Sequence, residues 1–281
     1  MDRATTAALG GAWTDDYPWE FLTRLTEIPS RMAGHPGERR AAELVAEGFE
    51  RAGAREVAVE SFEMNRWSRG EADLRVTAPG RASESVERTF ETVALPYSPP
   101  GEVEGRVVDA GHGTPAELDD RAVAGNVVVA STTTPRGSRF VHRMEKFGHA
   151  AAAGAAAFVF RNHKPGQLPP TGSLRFDREA AIPGVGVSLE TGDWLTDYAE
   201  RGARATLRVD AETTPGTSHN AHGQLGPSSE AHRASEKSSG EEPRDTDEEI
   251  LVVGHHDAHD IAEGALDNGC GITVVVAAAH L

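Results

Sequence analysis

The apolar positions of this chain change period several times, and each change marks an element. Ala41, Leu44, Val45, Gly48, Phe49 and Ala52 repeat at helical spacing, which predicts a helix over 37–52 with Gly53 at the C′ position. Trp19, Leu22 and Leu25 predict a shorter helix over 17–28, ended by Pro29. Alternation through Val57, Val59 and Phe62 predicts a strand over 56–64, and 74–78 reads as another. The polar run 81–91 reads as a turn, and Tyr97-Ser-Pro-Pro-Gly101 as a boundary. Val-rich runs at 106–109 and 126–130 then predict strands. Phe140, Met144, Phe147 and Ala151 share one face of a helix over 140–154. A strand over 155–160, an extended run over 182–188, a helix over 191–201 and strands over 205–209 and 217–225 follow.

The pattern then fails. Over 226–248 the only hydrophobic residues are Ala231 and Ala234, and seven acidic residues face three basic ones. Such a segment cannot bury enough apolar surface to offset chain entropy, which predicts a disordered polar loop. Ile250 to Val253 restores an apolar run with the length and residue types of a buried strand. It breaks at Gly254 into histidines and carboxylates, then a Gly-rich turn and a small apolar segment over 272–281.

Composition narrows the classes. The 281 residues suffice for two domains, and 38% hydrophobic content supports packed cores. The net charge is −16, from 44 acidic and 28 basic residues, and only Lys146, Lys164 and Lys237 are lysines. Acidity with scarce lysine suggests a protein working in concentrated salt, where self-repulsion is screened. It argues against nucleic acid or an anionic membrane as partner. One cysteine excludes an internal disulfide. Residues 1–16 lack an apolar core flanked by positive charge, so no signal peptide is expected and a cytoplasmic location is the default.

The chemistry concentrates after Gly254. His255 and Asp257 lie two apart on an extended chain and so point to one side. Imidazole nitrogen and carboxylate oxygen suit zinc. By the same register His256 and His259 read as surface residues. His219, His222 and His232 are weak ligand candidates, His35 reads as a loop residue, and His142, His149 and His163 as structural or surface residues. Cys270 opens a helix without a base beside it, which argues against a nucleophile.

His255-x-Asp257 followed by Gly264-Ala265-x-Asp267-Asn268-x-x-Gly271 resembles the co-catalytic zinc aminopeptidases of family M28. The Arg-x-x-Gly-x-x-Gly loop over 31–37, set between helices, is similar to the start of those enzymes. Residues 140–160 and the Ile182-Pro183 segment with Gly192-Asp193 and Leu195 resemble the protease-associated (PA) insert of many M28 proteins. One departure is Cys270, where serine is common.

The resemblance implies an α/β protein. A mixed-sheet zinc-exopeptidase (phosphorylase/hydrolase-like) domain would come from 1–96 and 212–281, incomplete in its C-terminal part, with a β-rich α+β PA insert over 97–211. It implies hydrolysis of N-terminal peptide bonds at a two-zinc site acting on peptides. His255 and Asp267 would be metal ligands, Asp267 bridging, and Asp257 would orient His255. The family's Glu-Glu pair, a further Asp and a late His lie downstream of such a helix and are not in these 281 residues. A fragment with an incomplete site and exposed apolar surface is therefore expected. Two other readings stay open: a non-catalytic M28-like binding protein using its PA domain, and a glutaminyl-cyclase-like transferase.

Overall fold

The computed structural model describes residues 3–80, 84–226 and 250–281. The polar loop expected over 226–248 thus lies, apart from Gly226, outside the described residues. In chain order the elements are α1 (Arg3–Thr14), α2 (Tyr17–Thr26), α3 (Pro36–Arg51), β1 (Arg55–Pro79), β2 (Ser85–Glu91), β3 (Val93–Ala94), β4 (Gly101–Asp109), α4 (Pro115–Asp119), β5 (Val127–Ser131), α5 (Arg143–Ala152), β6 (Ala157–Arg161), β7 (Gly184–Val187), α6 (Leu189–Glu200), β8 (Arg204–Gln224) and α7 (Cys270–Ala279). A π-type turn, Ala265–Gly269, leads into α7. The chain forms two compact units: Met1–Met64 with Gly216–Leu281, and Asn65–Pro215. Among the described residues no helix is long and apolar enough to cross a membrane.

The first unit is built on α2, α3 and α7. Helix α2 buries Tyr17, Phe21 and Leu25, while Trp19 is exposed. The buried stripe is thus one residue-register away from the expected Trp19–Leu22–Leu25 face, because the helix carries an aromatic on each side. Helix α3 buries Ala41, Leu44 and Val45 against Phe21 and Leu25, and Ile272 and Val276 of α7 complete the cluster. Gly53 takes φ +78°, as a C′ glycine does. Gly37 is required by space: a Cβ there would strike the carbonyl oxygens of Pro29 and Ser30. The first turn of α3 therefore seats directly on the preceding loop.

Two expectations about strands are corrected here. The two strands expected over 56–64 and 74–78 are one continuous strand, β1. Ile250–Val253 is not a buried strand; it is irregular and exposed. A hydrophobic run becomes a strand only where a ladder partner and a covering layer exist, and no described strand pairs with it. The polar 85–91 stretch, expected as a turn, is strand β2. Seven register pairs with β1, from Asp73↔Glu91 to Pro79↔Ser85, hold it. Its mostly exposed side chains hide the strand from any period-2 pattern.

The Asn65–Pro215 unit holds a mixed sheet ordered β2-β1-β8-β4-β5-β6-β7-β3. Strands β4 to β7 run parallel, and the near-continuous apolar runs of β5, β6 and β7 suit burial on both faces. Strand β2 joins β1, β3 joins β7 and β8 joins β4, each antiparallel. The core gathers Val128, Ala130, Phe147, Phe158, Phe160 and Leu174. Phe140 lies outside α5 and is exposed; the helix starts later, where the His142 Nδ1 accepts a hydrogen bond from the Met144 amide at 3.3 Å. Lys146 is buried, its Nζ donating to the Ser131 carbonyl at 3.0 Å and to that of Thr133. Burial pushes its amine below the ordinary value, and the Glu117 charge opposes that. His149 pairs with Asp119 at 2.7 Å and His163 with Thr132 at 3.0 Å, so both serve local structure.

Candidate metal centre

Residues 254–258 run extended past the start of α7. Gly254 permits this approach, since a Cβ there would stand 3.3 Å from the Ile272 backbone. Alternation along the run sends His255 and Asp257 to one side and His256 to the other. The His255 ring nitrogen Nδ1 lies 2.9 Å from Asp257 Oδ1, and its Nε2 lies 3.1 Å from Asp267 Oδ1. All three sequence-selected residues thus meet at one point on the first unit. Asn268 Nδ2 donates to the His255 carbonyl at 3.3 Å, which ties the turn carrying Asp267 to the histidine. Gly264 turns the chain at φ +60°; a Cβ there would clash with the Ala258 side chain and stand 2.7 Å from the Arg31 guanidinium.

The donor set fits zinc. A neutral imidazole that donates through Nδ1 presents a lone pair at Nε2. With that tautomer the Nε2 lone pair faces the Asp267 carboxylate, an arrangement that suits a bound cation. The 3.1 Å separation is close to the roughly 3.3 Å between two ligand atoms of a tetrahedral zinc with bonds of about 2 Å. Asp257 on the far nitrogen supplies the carboxylate–histidine arrangement that orients such a ligand. Among the described residues no group of three or more His, Cys, Asp or Glu is placed to hold a metal ion. His255 and Asp267 thus offer two donor atoms and not a closed site.

Behind this face lies a polar cluster that sequence reasoning missed. Glu38, 1% exposed, accepts at Oε1 from Ser218 Oγ (3.1 Å), the His219 amide (3.0 Å) and His256 Nε2 (3.1 Å). Its Oε2 faces His219 Nδ1 at 3.1 Å. Burial pushes the Glu38 carboxyl up, but the hydrogen bonds from His256 and His219 outweigh it and hold the group below the usual carboxylate range. His256, expected at the surface, is instead packed inward against Glu38; the register that frees His255 forces this. His219, a weak ligand candidate in sequence, is likewise engaged by Glu38, while His222 lies 3.9 Å from Glu60. His232 lies outside the described residues. A signal for Glu38 existed: it stands on the apolar stripe of α3, three residues before Ala41 and seven before Val45.

Arg31, also 1% exposed, lies beside them. Its Nη1 donates to the His256 carbonyl at 3.2 Å and its Nη2 to the Glu263 carbonyl. Burial draws its guanidinium below the ordinary value, opposed by the Asp257 charge.

The Glu38 cluster predicts a pH effect. Its folded pKa lies below the ordinary 4.5, so its contribution to stability is present above that value and lost as pH falls through the folded one. Denaturation at about pH 6 and about pH 3 should therefore separate wild type from Glu38→Gln more at the higher pH. An equal gap at both would remove Glu38 from the acid response.

Comparison with known proteins places this geometry. Residues 103–195 match the PA domain, and residues 238–281, which carry His255, Asp257 and Asp267, match peptidase family M28. The chain thus resembles a PA domain in its middle and peptidase family M28 after it, on a mixed α/β fold. Aminopeptidase YwaD of Bacillus subtilis (strain 168) is 32% identical over 137 residues, covering 49% of this chain and 26% of that protein. Carboxypeptidase Q of Mus musculus is 22% identical over 250 residues, covering 87% of this chain and 50% of that protein. The solved structure of BSAP, a zinc aminopeptidase from Bacillus subtilis, superposes with a TM-score of 0.59 at 26% identity, covering 94% of this chain and 56% of that one. A peptidase M28 precursor from Shewanella amazonensis SB2B shares the fold with a TM-score of 0.74 at 21% identity, covering 99% and 62%. The chain spans half or less of the length of these two curated relatives.

Proposed function

We propose that this chain serves metal-dependent hydrolysis of N-terminal peptide bonds, with peptides as substrate and two zinc ions in the working centre. The observation that carries the reading is His255 set between Asp257 and Asp267, at 2.9 and 3.1 Å, inside the segment that matches family M28. Bound zinc supplies Lewis acidity and a water acidic enough to attack at neutral pH. The chain's own residues provide the frame for it. His255 offers Nε2, and Asp257 keeps the proton on Nδ1 and so fixes the tautomer. Asp267 is 87% exposed and has a second oxygen beyond the one facing His255, as a bridging ligand requires. Two ligands hold metal weakly, so turnover is assigned to a protein that also carries the Glu-Glu pair, Asp and His implied by the resemblance. Residues 1–281 alone are read as binding without turnover.

The domain reading stands beside this one: a PA-like insert at 97–211 within a discontinuous peptidase part at 1–96 and 212–281. The net charge of −16 also makes concentrated salt the proper medium for assay.

Similarity to a carboxypeptidase over most of the chain makes cleavage polarity the point to test. In a protein that carries residues 1–281 together with those further ligands, amino-acid release from unblocked, N-acetylated and C-amidated peptides should be followed with zinc or cobalt in low and high salt. The reading expects N-acetylation to stop release and C-amidation to leave it. The reverse pattern, or hydrolysis indifferent to chelators, would overturn it. In the chain itself, Asp257→Asn should weaken zinc binding by about 10–100-fold in a chelator competition; unchanged affinity would remove Asp257 from the centre.

A further inference from the structure

We infer that Arg31 and Glu38 are positioning residues for the metal centre: a two-point clasp that holds His255, Asp257 and Asp267 together without touching the ion. The inference rests on the metal-binding reading above.

The residue between ligand and orienter is held at both its main chain and its side chain. The His256 carbonyl accepts from Arg31 Nη1 at 3.2 Å, and its ring donates to Glu38 at 3.1 Å. With His256 fastened inward, the pleat of an extended chain leaves His255 and Asp257 no freedom but to face outward together. Arg31 also closes the other end of the loop. Its Nη2 bonds the Glu263 carbonyl, next to the Gly264 turn that leads to Asp267, and its own carbonyl accepts from the Ala258 amide at 2.9 Å. One buried residue thus joins positions 256, 258 and 263, so the two ligands keep a common frame. Glu38 anchors the same frame to β8 through Ser218 and His219. A lysine could reach one of the two carbonyls but lacks the planar fork that spans both. Glutamine could keep its oxygen on Ser218, the His219 amide and His256. Its amide nitrogen would face His219 Nδ1, which can accept in the other tautomer.

The test uses the 281-residue chain with ¹⁵N-labelled histidine. It compares Arg31→Lys, Glu38→Ala, Glu38→Gln and a control, Val276→Ala, which loosens the same core away from the clasp. Two quantities are read: the ring ¹⁵N signals of His255 without metal, and zinc affinity by chelator competition. Arg31→Lys and Glu38→Ala should average the His255 tautomers and weaken zinc about 10–100-fold. Glu38→Gln should retain both properties. Val276→Ala should lower the melting temperature yet keep wild-type signals and affinity. Wild-type behaviour in Arg31→Lys and Glu38→Ala overturns the clasp, as does an equal loss in Val276→Ala. If the wild-type chain binds no zinc, the metal reading fails, and the His255 signals alone decide the clasp.

Discussion

Replacing Phe158 with alanine is expected to destabilise the Asn65–Pro215 unit by about 3–5 kcal/mol. Phe158 is fully buried on β6, which has hydrogen-bonded parallel neighbours on both sides, β5 and β7. Its ring lies 4.5 Å from that of Phe160 and 6.1 Å, edge-on, from that of Phe147. Truncation removes both aromatic contacts and opens a cavity between the sheet and α5. The walls are poorly placed to collapse: a strand paired on both edges cannot shift, and Gly113 already lies close to Ala130. Urea denaturation followed by near-ultraviolet circular dichroism measures the loss. A change under about 1 kcal/mol would mean that the core repacks freely, contrary to this ladder.

Asp267→Ala and His255→Ala are each expected to weaken zinc binding by about 100-fold or more, at least the upper end of what loss of an orienting partner costs. In the proposed centre each removes one of two ligands, so a lone donor remains. Both side chains are exposed, His255 54% and Asp267 87%, so stability should change by no more than about 0.5 kcal/mol. That separation makes the result readable: lost affinity in a protein that melts normally reports the site. Titration against a chromophoric chelator measures it. Affinity unchanged in both variants would place the metal elsewhere.

What could be read from the sequence was what is local. Helix α3 declared itself through its apolar stripe and Gly53, and the pairing of His255 with Asp257 follows from a spacing of two on extended chain. Asp267 was reached through motif resemblance, twelve residues on. Arg31 was legible only as part of a loop motif, and Glu38 not at all, because their partners stand 180 to 232 residues away and no periodicity spans such a distance. Strand β2 was missed for a different reason. Its identity comes from seven pairs with β1, while its own side chains are mostly exposed. Ile250–Val253 erred in the opposite direction: strong β-forming residues without a described partner stay irregular.

The clasp between Arg31 and His256 joins residues 225 positions apart. On a ribosome adding about 5–20 residues per second, that separation means roughly 10–45 s during which the N-terminal half of the clasp exists without the other. Over that interval Arg31 and Glu38 remain hydrated, and α2 and α3 lack Ile272 and Val276 of α7. The Asn65–Pro215 unit draws its own core entirely from residues made in between. Synthesis order therefore favours completion of the intervening unit before the face that carries His255 and Asp267 can assemble.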